Sequence, residues 1–432
     1  MRTPTFRPLS RQAPPHGHQG GHRLELSRRG VLTALGGSAL LTAVLGEVEL
    51  AFAAPDHAAA GNVLVTIRLS GGIDGLSVIA PIGDPDYAPN RPTIAVRESS
   101  AIQVDSRFAL HPALAPVFPL WTAGRLAAVH AVGQPSPSRS HAVAAADLDR
   151  AAPDTSIRTG WLDRTLAVLP AGDVLEGVSL GRPGVPGLLR GPQPVLSAAK
   201  LDDVTLPVDT AATPAALWQR ALAQLHTGAP GDIGGPMATA LAAVGQIAQT
   251  LPPGTGAVGG PLYPSGGFGQ GLRDVAQLVK ARAGLRVATV ELAGWDIHAN
   301  HGSVDGGRFA PNLKTLADGL AAFAQDLGPE LDRVTVVTLT EFGRRARQNG
   351  NNGLDHGRGS VMLLLGGGVN GGKVHGLWPG LSTADLDGGQ DLAVTTDYRA
   401  VLAEALTARM GLGSVADIFP GYRREPVGAI SR

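Results

Sequence analysis

A chain of 432 residues, 44% hydrophobic and 17% charged, has room for a large core and the composition of a folded globular protein rather than a solvated, disordered one. Lys plus Arg and Asp plus Glu both number 36, so no overall field draws in nucleic acid or an anionic membrane surface, and no nucleic-acid partner is expected. Cysteine is absent, which excludes disulfides, thiolate metal sites and a cysteine nucleophile, while 59 Gly and 33 Pro predict many turns and close backbone contacts.

Residues 1–53 read as an address. Met1 to Gly21 is a polar leader without apolar periodicity. Ser27-Arg28-Arg29-Gly30-Val31-Leu32 then opens an uncharged run to Leu45, and Ala51-Phe52-Ala53 offers a small-residue cleavage site before Ala54. Charged, apolar and cleavable regions in that order make a secretory signal, and the paired arginines mark the version read by the twin-arginine translocase. The run from Val31 to Leu45 is 15 residues, short of the roughly 20 that cross a bilayer, so no stable membrane span is expected after cleavage. An uncleaved anchor, suggested by Glu47 and Glu49 inside the segment, is the alternative. The expected location is periplasmic or extracellular.

Residues 54–432 read as one α/β domain. Asn62 to Leu69 is a β-rich run that empties into Ser70-Gly71-Gly72-Ile73-Asp74-Gly75, placing Asp74 in a loop at a strand's C-terminal end. Leu126 to Val132 is a second strand, followed by a Pro/Ser loop and a helix over Ser140 to Ala151. Helices are expected over Pro214–Leu225, Met237–Leu251 and Leu272–Arg282, separated by the lid or linker stretches Gly228–Pro236 and Pro252–Gly271. Arg286 to Leu292 is a strand leading to Trp295-Asp296-Ile297-His298, Asn312–Leu327 is an amphipathic helix, and Arg333 to Leu339 is a strand ending at Glu341. Ser360 to Leu365 is a strand preceded by Asp355-His356. Strands alternating with helices predict a mostly parallel central sheet with helices on both faces.

Strand ends are where open α/β sheets build sites. Asp74, Asp296, His298 and Glu341 follow strands, and Asp355 with His356 precedes one; carboxylates and neutral imidazoles are the ligands of a hard or borderline divalent cation when thiolates are absent. These six are the candidate metal ligands, for zinc, calcium, magnesium or manganese. A structural reading competes for each: Asp beside Gly forms turns, and a lone His is commonly a hydrogen-bonded core residue, as expected of His111, His130 and His226. Arg344 and Arg139 are candidates to grip an anionic substrate through forked donors. Ser138, Ser140 and His141, at a helix N-terminus, are the candidate catalytic residues, with N-capping as the plain alternative for the serines. A smaller proposal has Trp295 and Trp378 stacking on sugar rings.

Ser70-Gly71-Gly72-Ile73-Asp74-Gly75-Leu76, Ser138-Arg139-Ser140-His141, Thr159-Gly160-Trp161-Leu162, Trp295-Asp296-Ile297-His298, Thr340-Glu341-Phe342-Gly343-Arg344 and Asp355-His356-Gly357-Arg358-Gly359 resemble the exported domain-of-unknown-function 1501 family over nearly all of the mature chain. Families of this type resemble the alkaline phosphatase and sulfatase superfamily, which implies a divalent-metal site at strand C-termini. On that resemblance Asp74 matches the first-strand metal acid, Asp296 and His298 the middle pair, and Asp355 with His356 the late pair, for which Glu341 competes. The sequence departs from sulfatases, whose aldehyde-forming Cys or Ser stands two residues before Pro-Ser-Arg; here Pro135 occupies that place before Pro137-Ser138-Arg139. Ser136, Ser138 and Ser140 are the candidates for a phosphatase-like nucleophile, and the sequence does not choose among them. The expectation is a metal-dependent hydrolase of phosphate or sulfate esters, with a non-catalytic exported binding or assembly protein as the alternative.

Overall fold

The computed structural model describes residues 61–135, 138–153, 155–170, 174–204, 222, 224, 231–251 and 260–432. The chain divides into two units, 53–207 with 228–432, described below, and 1–52 with 208–227, nearly all of which lies outside the described residues. The signal segment, Ser136, His226 and nearly all of the helix expected over Pro214–Leu225 therefore also lie outside them.

Twelve strands are described: β1 (Val63–Ser70), β2 (Ile79–Ala80), β3 (Ile102–Gln103), β4 (Ala109–Leu110), β5 (Leu126–Gly133), β6 (Gly177–Leu180), β7 (Leu196–Ala198), β8 (Val287–Ala293), β9 (Val334–Leu339), β10 (Ser360–Gly366), β11 (Val374–His375) and β12 (Thr396–Asp397). Nine form the central sheet, in the order β11-β5-β10-β9-β1-β8-β6-β7 with β12 also on β5; β2, β4 and β3 form a small antiparallel sheet. Strands β9, β1, β8, β6 and β7 run parallel. Strand β10 is antiparallel to both β9 and β5, and β11 and β12 are parallel to β5, so β10 alone is reversed. The expected mixed α/β class with a mostly parallel sheet is therefore what the molecule adopts.

Alternation along the strands sorts the core into two faces. Val63, Val65, Ile67 and Leu69 of β1 join one apolar cluster with the helices Gly267–Lys280 and Phe309–Leu327. Leu64, with Val337 and Leu339 of β9, joins a second with the helices Trp161–Val168 and Tyr398–Glu404. Several helices begin before the sequence pattern suggests: Gly231–Thr250 takes in part of the expected 228–236 linker, and Gly267–Lys280 starts inside the expected Pro252–Gly271 stretch. Glycine in a helix costs only about 1 kcal/mol, which tertiary packing overrides.

The reversal of β10 positions the site. Parallel strands bring the ends of β1, β8 and β9 to one edge of the sheet, and a parallel β10 would have carried its preceding loop to the opposite edge. Running backwards, β10 begins at that same edge, with Ser360 opposite Val132 near the end of β5. Asp355 and His356 consequently arrive beside residues that follow other strands.

Candidate metal centre

Two glycines bring the loops into contact. Gly71, at the end of β1 with φ +118°, lies so close to the loop after β8 that a Cβ would stand 2.6 Å from the Asp296 nitrogen. Gly353 packs likewise on the His298 backbone, where a Cβ would meet the carbonyl carbon at 2.1 Å. Asn349 ties the same loops together, its Nδ2 donating to the His298 carbonyl (2.9 Å) and to Asp355 Oδ1 (3.1 Å).

The side chains converge on one oxygen. Asp296 Oδ1 lies 3.3 Å from His141 Nε2, 3.0 Å from His298 Nε2 and 3.2 Å from His356 Nε2; the last two nitrogens are 3.0 Å apart. His141, Asp296 and His356 each offer one ligand atom, all within 4.8 Å of one another, a spacing one cation could bridge. Behind this set stand acceptors. His141 Nδ1 donates to Glu341 Oε1 (2.8 Å), His356 Nδ1 to the Arg139 carbonyl (2.8 Å), and His298 Nδ1 lies 3.3 Å from Asp355 Oδ1. An imidazole donating from Nδ1 keeps a lone pair on Nε2, so the contacts themselves choose the tautomer that ligates. Glu341 is buried and also accepts from the Gly71 amide at 2.8 Å. It therefore stands behind His141.

Arg344 is fully occupied within the fold. Its buried guanidinium donates from Nε to the Gly72 carbonyl (2.7 Å), from Nη1 to Leu354 (3.0 Å), and from Nη2 to the Gly71 and Trp295 carbonyls and Asp296 Oδ1 (2.7 Å). Burial would raise the Asp296 pKa, but Arg344 and the histidines more than offset this and hold the carboxyl well below the usual range. Asp355 is also lowered, chiefly by its bond from Asn349.

Several sequence expectations need correction. Asp74 is expected among the ligands, yet Arg91 grips it through Nη1 (2.5 Å) and Nη2 (2.9 Å), with His301 Nε2 at 3.5 Å. Burial alone would raise its pKa; Arg91 and His301 reverse the sign and keep it ionised far down the acid range. Arg344 anchors backbone, and the Arg139 side chain is bound to buried Asp391 (2.5 Å), so neither presents the free fork expected for substrate. Ser138 Oγ accepts from the Ser140 amide (3.1 Å), a turn role. Ser140 is the N-cap of the helix His141–Arg150 but makes no side-chain cap bond. Trp295 is 1% exposed and packed edge-on to Phe309, and Trp378 packs against Phe108 and His130, which places both in apolar packing instead of on a sugar. His111 and His130 are hydrogen-bonded core residues, as the plain reading has it. Arg68, which lines a pocket beside the centre, escapes the sequence reading; its one signal is a charge within the apolar run Val63–Leu69.

Fold and side chains together define a mixed α/β protein whose sheet edge gathers three histidines around one aspartate. Residues 236–418, which include Asp296, His298, Glu341, Arg344, Asp355 and His356, match the model of the family described as "Protein of unknown function (DUF1501)", and the match supports that family for this chain. Neither a curated protein nor a solved structure matches it. No helix among the described residues is long and apolar enough to cross a membrane.

Proposed function

We propose that this chain is a metal-dependent hydrolase of phosphate or sulfate esters, on a sheet related to the alkaline phosphatase and sulfatase architecture. One observation carries the reading: the Nε2 atoms of His141, His298 and His356 each lie 3.0–3.3 Å from Asp296 Oδ1. Ligands roughly 2.0–2.1 Å from a zinc ion stand about 3.0–3.4 Å from their neighbours, and imidazole with carboxylate is a zinc-compatible donor set. A neutral imidazole that donates from Nδ1 points a lone pair at that oxygen, and a cation between them turns the repulsion into attraction.

When bound, a divalent cation supplies Lewis-acid polarisation of an ester oxygen and activation of a nucleophile. The chain's own residues do the rest. Glu341, Asp355 and the Arg139 carbonyl orient the imidazoles, and Arg344 holds Asp296. With side chains 47% and 44% exposed, Asp296 and His298 leave one side of the centre open, as a catalytic site requires. Ser140, exposed and unused in capping, is the hydroxyl we assign as nucleophile. Export through the twin-arginine translocase, supported by Arg28-Arg29 and the run that follows, places the activity outside the cytoplasm.

The full chain, purified and assayed for metal by mass spectrometry, is expected to carry about one divalent cation. His356→Ala and His141→Ala should strip it and lower turnover of a phosphate or sulfate monoester at least a hundredfold. Wild-type protein without stoichiometric cation, and with turnover untouched by both substitutions, would end this reading. The second reading, an exported binding or assembly protein, is favoured by one observation: among the described residues, neither the Ser138 nor the Ser140 hydroxyl bonds to an imidazole or carboxylate. Cation without turnover on any ester selects it.

A further inference from the structure

Most arginines around the cluster are tied down by hydrogen bonds. Arg344 donates to three loops, Arg139 is bound to Asp391, Arg358 to Asp387 and Arg68 to Asp149. Arg345, the residue after Arg344, is different. Among the described residues its side chain makes no hydrogen bond, and its one ion pair, Nη1 to Asp355 Oδ2, spans 3.8 Å, beyond bonding distance. Its Nε is enclosed by the fold, whereas Nη1 and Nη2 are not, and the side chain is 33% exposed. The backbone beneath it is fixed, the Arg345 amide donating to the Asp355 carbonyl (3.0 Å) and its carbonyl accepting from Arg91 Nη2 (3.1 Å). The result is a forked donor with a rooted stem and unused tips.

Asp355 and His298 fix where that fork stands. Asp355 Oδ1 lies 3.3 Å from His298 Nδ1, and the opposite ring nitrogen, Nε2, lies 3.0 Å from Asp296 Oδ1. Asp355 and Arg345 are therefore on the outer side of the imidazole. His298 and Asp355 are each 44% exposed, so the open side of the centre continues past them to Arg345. Asp355 does not use up the arginine, since its Oδ1 accepts from Asn349 Nδ2 (3.1 Å) and faces His298, and Oδ2 alone turns toward Nη1. A guanidinium whose paired tips reach solvent matches the two oxygens of a carboxylate or phosphate. A group received there is not the one at the cation, because His298 and Asp355 stand between.

We infer that Arg345 is a specificity residue that receives a second anionic group of the substrate, so that the ester cleaved at the centre is one borne by an acidic molecule. The inference rests on the hydrolase reading. The ester of a neutral alcohol leaves the Arg345 fork in water, whereas an acidic one forms a charge-assisted pair at the rim, weakened by salt.

Turnover of phenyl phosphate, 4-carboxyphenyl phosphate and 1,4-phenylene bisphosphate, and of the corresponding sulfates, by the zinc-loaded full chain tests this, zinc content being measured separately. For at least one acidic ester kcat/KM should exceed that of the plain phenyl ester at least tenfold, through KM, and the preferred one tells carboxylate from a second phosphate or sulfate. The ratio should fall as salt is raised. Arg345→Gln should bring it to about one, a comparison within one enzyme that a merely structural role would not move. Arg345→Lys keeps the charge but loses the fork; it should lower the ratio at least threefold, and it stands in should Arg345→Gln not fold. Wild type that treats acidic and plain esters alike, or a ratio that neither variant changes, overturns the role of Arg345 alone. A chain that holds no zinc, or holds it and cleaves none of the esters, overturns the hydrolase reading and this inference with it.

Discussion

His130 and His356 are the same residue type in one molecule, and their surroundings give them opposite properties. His130 is buried, donating from Nε2 to the Ile79 carbonyl (3.0 Å) and accepting at Nδ1 from the Ala131 amide (2.8 Å), so one neutral tautomer satisfies both nitrogens. Burial lowers its pKa to about 4 from the ordinary 6.5, and the Ile79 bond recovers only part of the shift. The unfolded chain therefore takes up this proton first as pH falls. His130 leaves stability intact above about pH 6.5 and removes about 1.4 kcal/mol per unit below it, roughly 3 kcal/mol by pH 4. His130→Gln should flatten that limb; urea midpoints for wild type and variant between pH 7 and pH 4.5 measure it, and parallel slopes would count against the assignment. His356, by contrast, turns Nε2 toward Asp296 and another imidazole. Their sequence settings, an apolar strand and a glycine-flanked loop after an acid, already differ, but only the partners fix which nitrogen each presents. Asp74 makes the same point: a Gly-flanked acid after a strand looks like a ligand until Arg91, 17 residues on, is found holding both its oxygens.

Among the elements, the helix Tyr398–Glu404 does more than cover the sheet. Its last residue, Glu404, accepts from four successive amides, Val427 and Gly428 at 2.6 Å, Ala429 at 2.9 Å and Ile430 at 3.0 Å. These bonds pin a tail whose Ala429 and Ile430 belong to the core of that face. Glu404→Gln keeps the shape but loses the charge, and should cost about 1–3 kcal/mol, with faster amide exchange over 427–430. Calorimetric melting and hydrogen exchange check both, and unchanged protection of the tail would refute the latch. Elements of this kind are poorly legible in sequence. Strands β6 and β7, of four and three residues, are too short for alternation to register, whereas β1, β5, β8, β9 and β10 stand out as long apolar runs bounded by Gly, Pro or acids.

For the whole molecule, the cluster links parts of the chain far apart in sequence, from His141 to His356. A cation held there binds only the folded arrangement and so stabilises it; at a free concentration a hundredfold above its dissociation constant the gain is about 2.7 kcal/mol. A chelator is then expected to lower the melting temperature by a few degrees, and added zinc to restore it. Identical melting curves with and without chelator would show that no ion is held.

By itself the sequence determined what is local: the freedom from thiol chemistry, the longer strands, and the acids and histidines set in glycine-rich turns at their ends. Those follow from composition, periodicity and turn chemistry, which act over a few residues. The tertiary structure alone decided which of those side chains meet. Reversal of β10 sent Asp355 and His356 to the edge occupied by Asp296, Arg91 withdrew Asp74, and Glu341 took its place behind His141. Such outcomes depend on strand order, direction and pairing across hundreds of residues, and no short-range pattern encodes them.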